Sequence, residues 1–380
     1  MSYSNLKLAL VLVTLFTQIP ASTQSPGPAV NPIHEEQVKL AEAEKNWRLA
    51  VRQTPQDAGA HASLAVVLSR EGKYPEAISA YKKAFALNPK LPGIQLNWGI
   101  AEFKRGHFQE AIAPLAAALA ADPASVQART LLGLSCYGAK KFKEAAEYLK
   151  PAVQQDPAST ELRKVLAQSC LLAKDYSCAE NEFRRIVQQN PDSASAHILM
   201  GEALDGLNRT PEAILEFQAA AKVAPQEPDV NFGLGYLQWK SNHYDEAKTS
   251  LQNELAVDPN HAQALVYLGD IAMKENNFDQ ALPLLEKAVR QRKDLRLAYV
   301  DLGAVLMQQK RYPDALAALQ RAVKLDPTQP DAHFRLGRLY QAMGKAPDAE
   351  REFAKVRELH EKADDDIASK MSKPSVPPDQ

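Results

Sequence analysis

The sequence predicts an all-α solenoid made by repeating one two-helix unit, and three columns of residues in register carry that prediction. Stepping by 34 residues from Ala315 gives Ala77, Ala111, Ala145, Ala179, Ala213, Ala247, Ala281 and Ala349, so that column is alanine throughout. The column through Gly303 reads Ala65, Gly99, Gly133, Ala167, Gly201, Gly235, Gly269 and Gly337, never a bulky residue. The third reads Pro55, Pro89, Pro123, Pro157, Pro191, Pro225, Pro259, then Lys293 and Pro327. A fixed period of this length is the mark of stacked supersecondary units that bury their apolar faces on one another.

The segment from Arg296 to Gln329 shows the unit most plainly. Tyr299, Leu302, Gly303 and Leu306 share one face of a first helix at i, i+3, i+4, i+7 spacing. A turn follows at Lys310–Arg311, and Pro313 sits at the start of a second helix, where a missing N–H costs nothing. Ala315, Leu319 and Ala322 line its inner face, with Ala315 expected opposite Gly303, and Asp326-Pro327 stops it. This pattern resembles the tetratricopeptide repeat, a helix–turn–helix unit of 34 residues. Nine such units begin near Ala58, Pro92, Val126, Thr160, Ala194, Pro228, Ala262, Arg296 and Pro330. The resemblance implies a right-handed superhelical α-solenoid and says little of function, because the recurring positions are packing positions.

Taken in order, residues 1–23 read as a secretory signal peptide. Lys7 supplies the positive region, Leu8 to Ile19 the apolar run, and Ala21, Ser22 and Thr23 the small residues at which cleavage is expected. The alternative is an uncleaved segment that anchors the chain, and membrane contact is expected only in that case. Residues 24–32 form a proline-rich linker, and 33–57 a capping helix whose Ala43, Trp47, Ala50 and Pro55 fall in register with Ala77, Tyr81, Ala84 and Pro89. The nine repeats fill 58–363. Residues 364–380 are a solvated helical extension and a tail, with no order expected from Lys370 onward.

Within the repeats, Pro75, Pro211, Pro313 and Pro347 open second helices, followed by Glu76, Glu212, Asp314 and Asp348 where the helix dipole favours acid. Pro92, Pro228 and Pro330 are expected to open first helices in the same way. Pro114, Pro151 and Pro283 fall inside second helices and should tilt or kink them. Lys293 in the proline column predicts a looser joint between the seventh and eighth repeats.

Composition narrows the chemistry. The formal net charge is −1 without a basic stripe, which argues against a nucleic-acid partner. Eight histidines suggest metal, but His61, His197 and His333 share a column four repeats apart, as do His107 and His243, and none has a second ligand at helical spacing. No metal, cofactor or catalysis is expected: no nucleophile elbow, phosphate loop or paired-cysteine zinc pattern occurs. Of the three cysteines, Cys170 and Cys178 fall on the two helices of one repeat and can meet across its turn; three buried free thiols are the alternative.

The family resemblance places ligands on first helices, beside the packing stripe. Here that second stripe contains Leu96, Ile100 and Phe103, then Leu134 and Tyr137, then Phe232, Tyr236 and Trp239, Met273, Met307, and Phe334 with Arg338. Glu202, Asp205, Asp229 and Asp270 add acid to it, and Gly233 and Gly235 are expected to leave room for a partner's backbone. Packing between adjacent first helices is the competing reading of the same side chains. Chaperone-binding relatives grip a terminal carboxylate with Lys and Asn. Here Lys164 is followed by Gln168, and Leu199 stands where Asn is needed, so a clamp for Hsp70 or Hsp90 tails is not expected. The expected function is a non-enzymatic, exported scaffold, periplasmic or extracellular, that binds a protein or peptide segment in an apolar, acid-rimmed concave groove. The alternatives are an assembly subunit of an envelope machine (pilus, secretion or polysaccharide export) and an accessory subunit of an enzyme on another chain.

Overall fold

The computed structural model describes residues 32–372, and the side chains of 36–365. The expected signal peptide, most of the linker and the last residues of the tail lie outside the described residues. Among the described residues there are nineteen helices and no strand. Helix α1 spans Pro32–Gln53, with the linker's last proline at its first position. The helix pairs that follow are α2 (Ala58–Arg70) and α3 (Tyr74–Leu87), α4 (Ile94–Lys104) and α5 (Phe108–Ala121), α6 (Val126–Gly138) and α7 (Phe142–Gln155), and α8 (Thr160–Leu172) and α9 (Tyr176–Gln189). Helix α10 (Ala194–Gly206) closes the first compact unit, which ends at Arg209.

The second unit starts with α11 (Thr210–Val223) and continues through α12 (Val230–Lys240) and α13 (Tyr244–Val257), α14 (Ala262–Lys274) and α15 (Phe278–Gln291), α16 (Arg296–Gln308) and α17 (Tyr312–Leu325), and α18 (Pro330–Ala342) and α19 (Ala346–Ser372). In each unit every helix packs on the next along the chain, and first helices also touch the first helices of adjacent repeats. Each unit is therefore an all-α solenoid of helix–turn–helix repeats.

The alanine column is buried at every position. The glycine column has a different partner from the alanine that the sequence suggests. A Cβ on Gly303 would lie 2.5 Å from Leu319 Cγ, and one on Gly133 2.7 Å from Leu149 Cδ2. The small residue on the first helix makes room for a leucine one turn beyond the alanine, and that leucine fills the space between the helices.

The turn inside each repeat repeats a backbone conformation that the three columns do not show. Gly72, Gly106, Lys140, Lys174, Asn208, Asn242, Asn276, Lys310 and Gly344 all have φ between 58° and 81°. Each ends its first helix in a Schellman motif: Gly72 N–H donates to the Ser69 carbonyl and Lys73 N–H to the Leu68 carbonyl, and the other turns follow suit. Glycine and asparagine take this left-handed region at low cost, and lysine takes it here because the two terminal hydrogen bonds hold the turn.

The joints between repeats are also tied. In the first unit His61 Nε2 donates to the Pro55 carbonyl at 3.0 Å, Arg129 to that of Pro123, Arg163 Nη2 to that of Pro157 at 3.1 Å, and His197 Nε2 to that of Pro191 at 2.9 Å. In the second unit Asn231 and His333 do the same for Pro225 and Pro327, at 3.0 and 3.2 Å. Leu265 and Tyr299 occupy that column in the seventh and eighth repeats, so second helices supply the donor instead. Lys287 reaches the Pro259 carbonyl at 2.6 Å and Arg321 the Lys293 carbonyl at 3.1 Å. The donor differs from joint to joint while the carbonyl it reaches stays in the same column.

Two expectations need correction. Only Pro330 opens a first helix. α4 and α12 start two residues after Pro92 and Pro228, at Ile94 and Val230, because Gly93 and Asp229 take left-handed φ values of 74° and 66°. Pro114, Pro151 and Pro283, by contrast, lie inside α5, α7 and α15, where the sequence places them. α19 runs to Ser372, past the position where loss of order was expected.

Candidate functional site

The candidate site is the first-helix face of the second unit, and α12 begins it. Glu254 of α13 is fully buried and organises the start of that helix. Its two carboxylate oxygens accept from the backbone N–H groups of Asp229 and Phe232, both at 3.0 Å, in place of a side-chain N-cap. Asp229 in turn accepts from His261 Nε2 at 2.8 Å, and His261 Nδ1 caps α14 by accepting from Ala264 N–H at 3.1 Å. Asp229, Glu254 and His261 have the donor set of a metal site. Both Glu254 oxygens and both His261 nitrogens are, however, already occupied in capping two helices.

From this start, Phe232, Tyr236 and Trp239 run down one face of α12. Their rings follow one another at centroid separations of 6.4 and 6.3 Å. Tyr267 of α14, which the sequence reading did not single out, packs against all three, closest to Trp239 at 4.8 Å. The Trp239 indole N–H donates to Asp270 Oδ2 at 2.6 Å. All four rings are partly buried. They pack between adjacent first helices, so Trp239 is not a free-standing exposed ring. Gly233 and Gly235 leave no room for a partner's backbone. A Cβ on Gly233 would fall 2.3 Å from Phe217 Cε1 and one on Gly235 2.7 Å from Leu251 Cγ, because the glycines face the repeat core.

Acid lies beside the rings. Asp270 holds the indole and has Lys274 at 3.8 Å. Asp301 of α16 is only 3% exposed, and its Oδ2 has no hydrogen-bond partner. Burial, with the Asp270 carboxylate beside it, pushes the Asp301 carboxyl up to about 7. Burial and the neighbouring Tyr236, Asp270 and Asp301 push the Tyr267 phenol up to about 12. Met273 and Met307 are partly buried against the core of the eighth repeat. Phe334 is 49% exposed with its ring 5.9 Å from that of Phe353, and Arg338 is exposed.

The residues expected in the first unit are placed differently. Leu96 and Ile100 are partly buried, and Phe103 is buried with its ring 5.5 Å from Phe108. Leu134 and Tyr137 are 1% and 3% exposed. The Tyr137 hydroxyl donates to Gln168 Oε1 at 2.8 Å, and burial pushes its pKa up to about 12. These three buried side chains offer a ligand almost no surface. Nearby, the sulfurs of Cys170 and Cys178 lie 2.03 Å apart with Cα atoms 5.7 Å apart, and Cys136 is a buried free thiol. Asp175, which completes a possible donor cluster with those cysteines, accepts from Cys178 N–H.

An all-α array of helix pairs with a chemically distinct first-helix face defines a repeat solenoid of the protein-binding kind. Models described as tetratricopeptide repeat match residues 58–91, 96–160, 137–203, 171–234 and 232–294, and one described as TPR repeat matches 303–344. The chain belongs to the tetratricopeptide-repeat family. No curated protein sequence matches it. Among solved structures it is similar to the APC/C hetero-tetramer Cut9–Hcn1, with a TM-score of 0.51 and 13% identity over 83% of this chain and 78% of that one. It is also similar to YrrB, described as a TPR protein with an unusual peptide-binding site (TM-score 0.40, 21% identity, 47% and 91% covered). A third similarity is to MamA from residue 41 onward, from Desulfovibrio magneticus RS-1 (TM-score 0.40, 25% identity, 44% and 96% covered). At these identities the likeness to Cut9–Hcn1 shows the fold alone.

Proposed function

We propose that the protein is an exported, non-enzymatic scaffold that binds a peptide or protein segment along the first-helix face of repeats six to nine. One observation carries this reading: α12 and α14 pack four partly open aromatic rings into one patch, with Asp270 bonded to the Trp239 indole. Large aromatic anchors flanked by charge are what a segment with apolar and basic residues would recognise. Export is supported by Lys7, the Leu8–Ile19 run and the small residues that follow, and by the placing of Cys170 and Cys178 with Cα atoms 5.7 Å apart, within reach of a disulfide, which suits an oxidising compartment. Mass spectrometry of the native protein should find a mature amino terminus between Ser22 and Pro26; an intact Met1 in a soluble cytoplasmic fraction would contradict export.

Cross-linking and pull-down from the native envelope should supply the partner, and Trp239→Ala then tests the site. Because the ring is partly buried, the variant should lose some stability, but less than the roughly 3–5 kcal/mol of an aromatic-sized core cavity. Affinity of the folded fraction should fall by about 2 kcal/mol or more. A variant that melts earlier while its folded fraction binds normally would assign the rings to packing alone.

A further inference from the structure

We propose that the second-helix side of the first unit carries a separate docking site, which takes a Glu or Asp carboxylate and a neighbouring apolar side chain of a partner's segment. Two cavities there occupy the same place in consecutive repeats. The first, about 460 Å³, opens among α5, α6 and α7, and the second, about 500 Å³, among α7, α8 and α9. Their linings correspond at a shift of 34 residues, so that Pro123 and Arg129 of the first become Pro157 and Arg163 of the second. In both, the arginine donates to the carbonyl of that proline, and the cavity is built on the tie between repeats.

The walls differ in charge. Where the first cavity has Ala116, Glu147, Tyr148 and Pro151, the second has Lys150, Asn181, Glu182 and Arg185. The first is mostly apolar, with one arginine and one glutamate. In the second, Arg163 is 4% exposed and its Nη1 donates to Glu182 at 2.6 Å, so those two charges answer each other. Lys150 and Arg185 are left over. Both are exposed, and neither makes a hydrogen bond or ion pair among the described residues. A cleft with an excess of one charge concentrates the opposite one, and a guanidinium beside an ammonium suits a carboxylate.

Helix α7 forms a wall of both cavities, so a segment that crosses it meets apolar surface on one side and cations on the other. A free anion gains nothing from the apolar cavity, and an acidic segment uses both. Two exposed ion pairs together should be worth about tenfold in affinity, and added salt should screen them.

The test uses the intact chain and two degenerate heptapeptide pools with apolar flanks, one with glutamate at the centre and the other with glutamine. Glutamine keeps the shape and loses the charge. In dilute buffer the glutamate pool should bind about tenfold more tightly, and the preference should fade at about 1 M salt, a measurement that needs no variant. It should vanish when Lys150→Gln and Arg185→Gln are combined, with the melt unchanged because both side chains are exposed. It should persist in the folded fraction of Trp239→Ala, which alters the first-helix groove instead. Equal binding of the two pools, or failure of both to bind, would overturn the docking site. A preference that survives loss of both cations would place the carboxylate elsewhere, and one lost in Trp239→Ala would place it in the groove; either also overturns the inference. Inorganic sulfate that competes with the glutamate pool mole for mole would make the cavity a site for free anions and overturn the peptide partner.

Discussion

The first-helix faces of the two units are built on the same 34-residue frame and end in different states. Around α6 and α8 the face is closed: Leu134 and Tyr137 are buried, the Tyr137 hydroxyl is satisfied by Gln168, and Cys170 is bonded inward. Around α12, α14 and α16 the rings are only partly covered, and one buried carboxylate oxygen is left without a partner. The alanine column is buried alike in both regions. What differs is the set of residues between the columns, which the fold leaves free to vary.

The comparison can be tested by perturbing one side at a time. The largest effect is expected from Glu254→Ala, which removes a buried acceptor from two N–H groups at the start of α12. A stability loss of about 3–5 kcal/mol in the second unit, read from denaturant unfolding, is the expected outcome. Next is the closed face. Thiol titration of the unfolded, unreduced protein should find one free thiol, that of Cys136, and reduction should cost no more than about 2–3 kcal/mol because the loop is short. Three free thiols would show that the bond does not form in solution.

Asp301→Asn should act in the opposite direction. Folded Asp301 keeps its proton up to about pH 7, whereas the ordinary value is 3.8, so its ionisation opposes folding increasingly as pH rises between those values. The variant should melt near the unaltered protein at pH 3 to 4 and be more stable at pH 8, by on the order of 2 kcal/mol. An unchanged melt at pH 8 would mean that Asp301 finds a partner in solution. The smallest effect is expected from His61→Ala. It removes one donor from the Pro55 carbonyl and should cost about 1 kcal/mol in the first unit alone.

Much of this architecture was legible in the sequence, because repetition makes packing visible as columns. Alanine and glycine mark where helices come close, and proline marks where second helices end. The left-handed turn column escaped notice because three residue types satisfy it, glycine and asparagine by low intrinsic cost and lysine by hydrogen bonding. The proline-carbonyl ties escaped for a similar reason, since His, Arg, Asn and Lys are interchangeable as donors there. Recurrence of Gly and Asn at the turn, and of any side-chain donor six residues after a proline, would have exposed both.

The site was less legible. Helical spacing correctly placed Phe232, Tyr236 and Trp239 on one face, but it does not reveal which neighbouring helix covers them. Tyr267 and Asp301 were missed because they occupy the column next to the chosen stripe, although the Tyr267 ring packs against that of Trp239. Gly233 and Gly235 were misread as open space, since a missing side chain in a sequence looks the same whether a ligand or a leucine fills the gap.

The central claim is that the first-helix face of α12, α14 and α16 is open and that of α6 and α8 is closed. Hydrogen exchange on the intact chain, with and without the partner recovered from the native envelope, tests it most directly. The account predicts added protection in residues 230–240, 262–274 and 296–308, with 126–138 and 160–172 unchanged. Protection confined to 126–138 and 160–172, or to second helices, would contradict it.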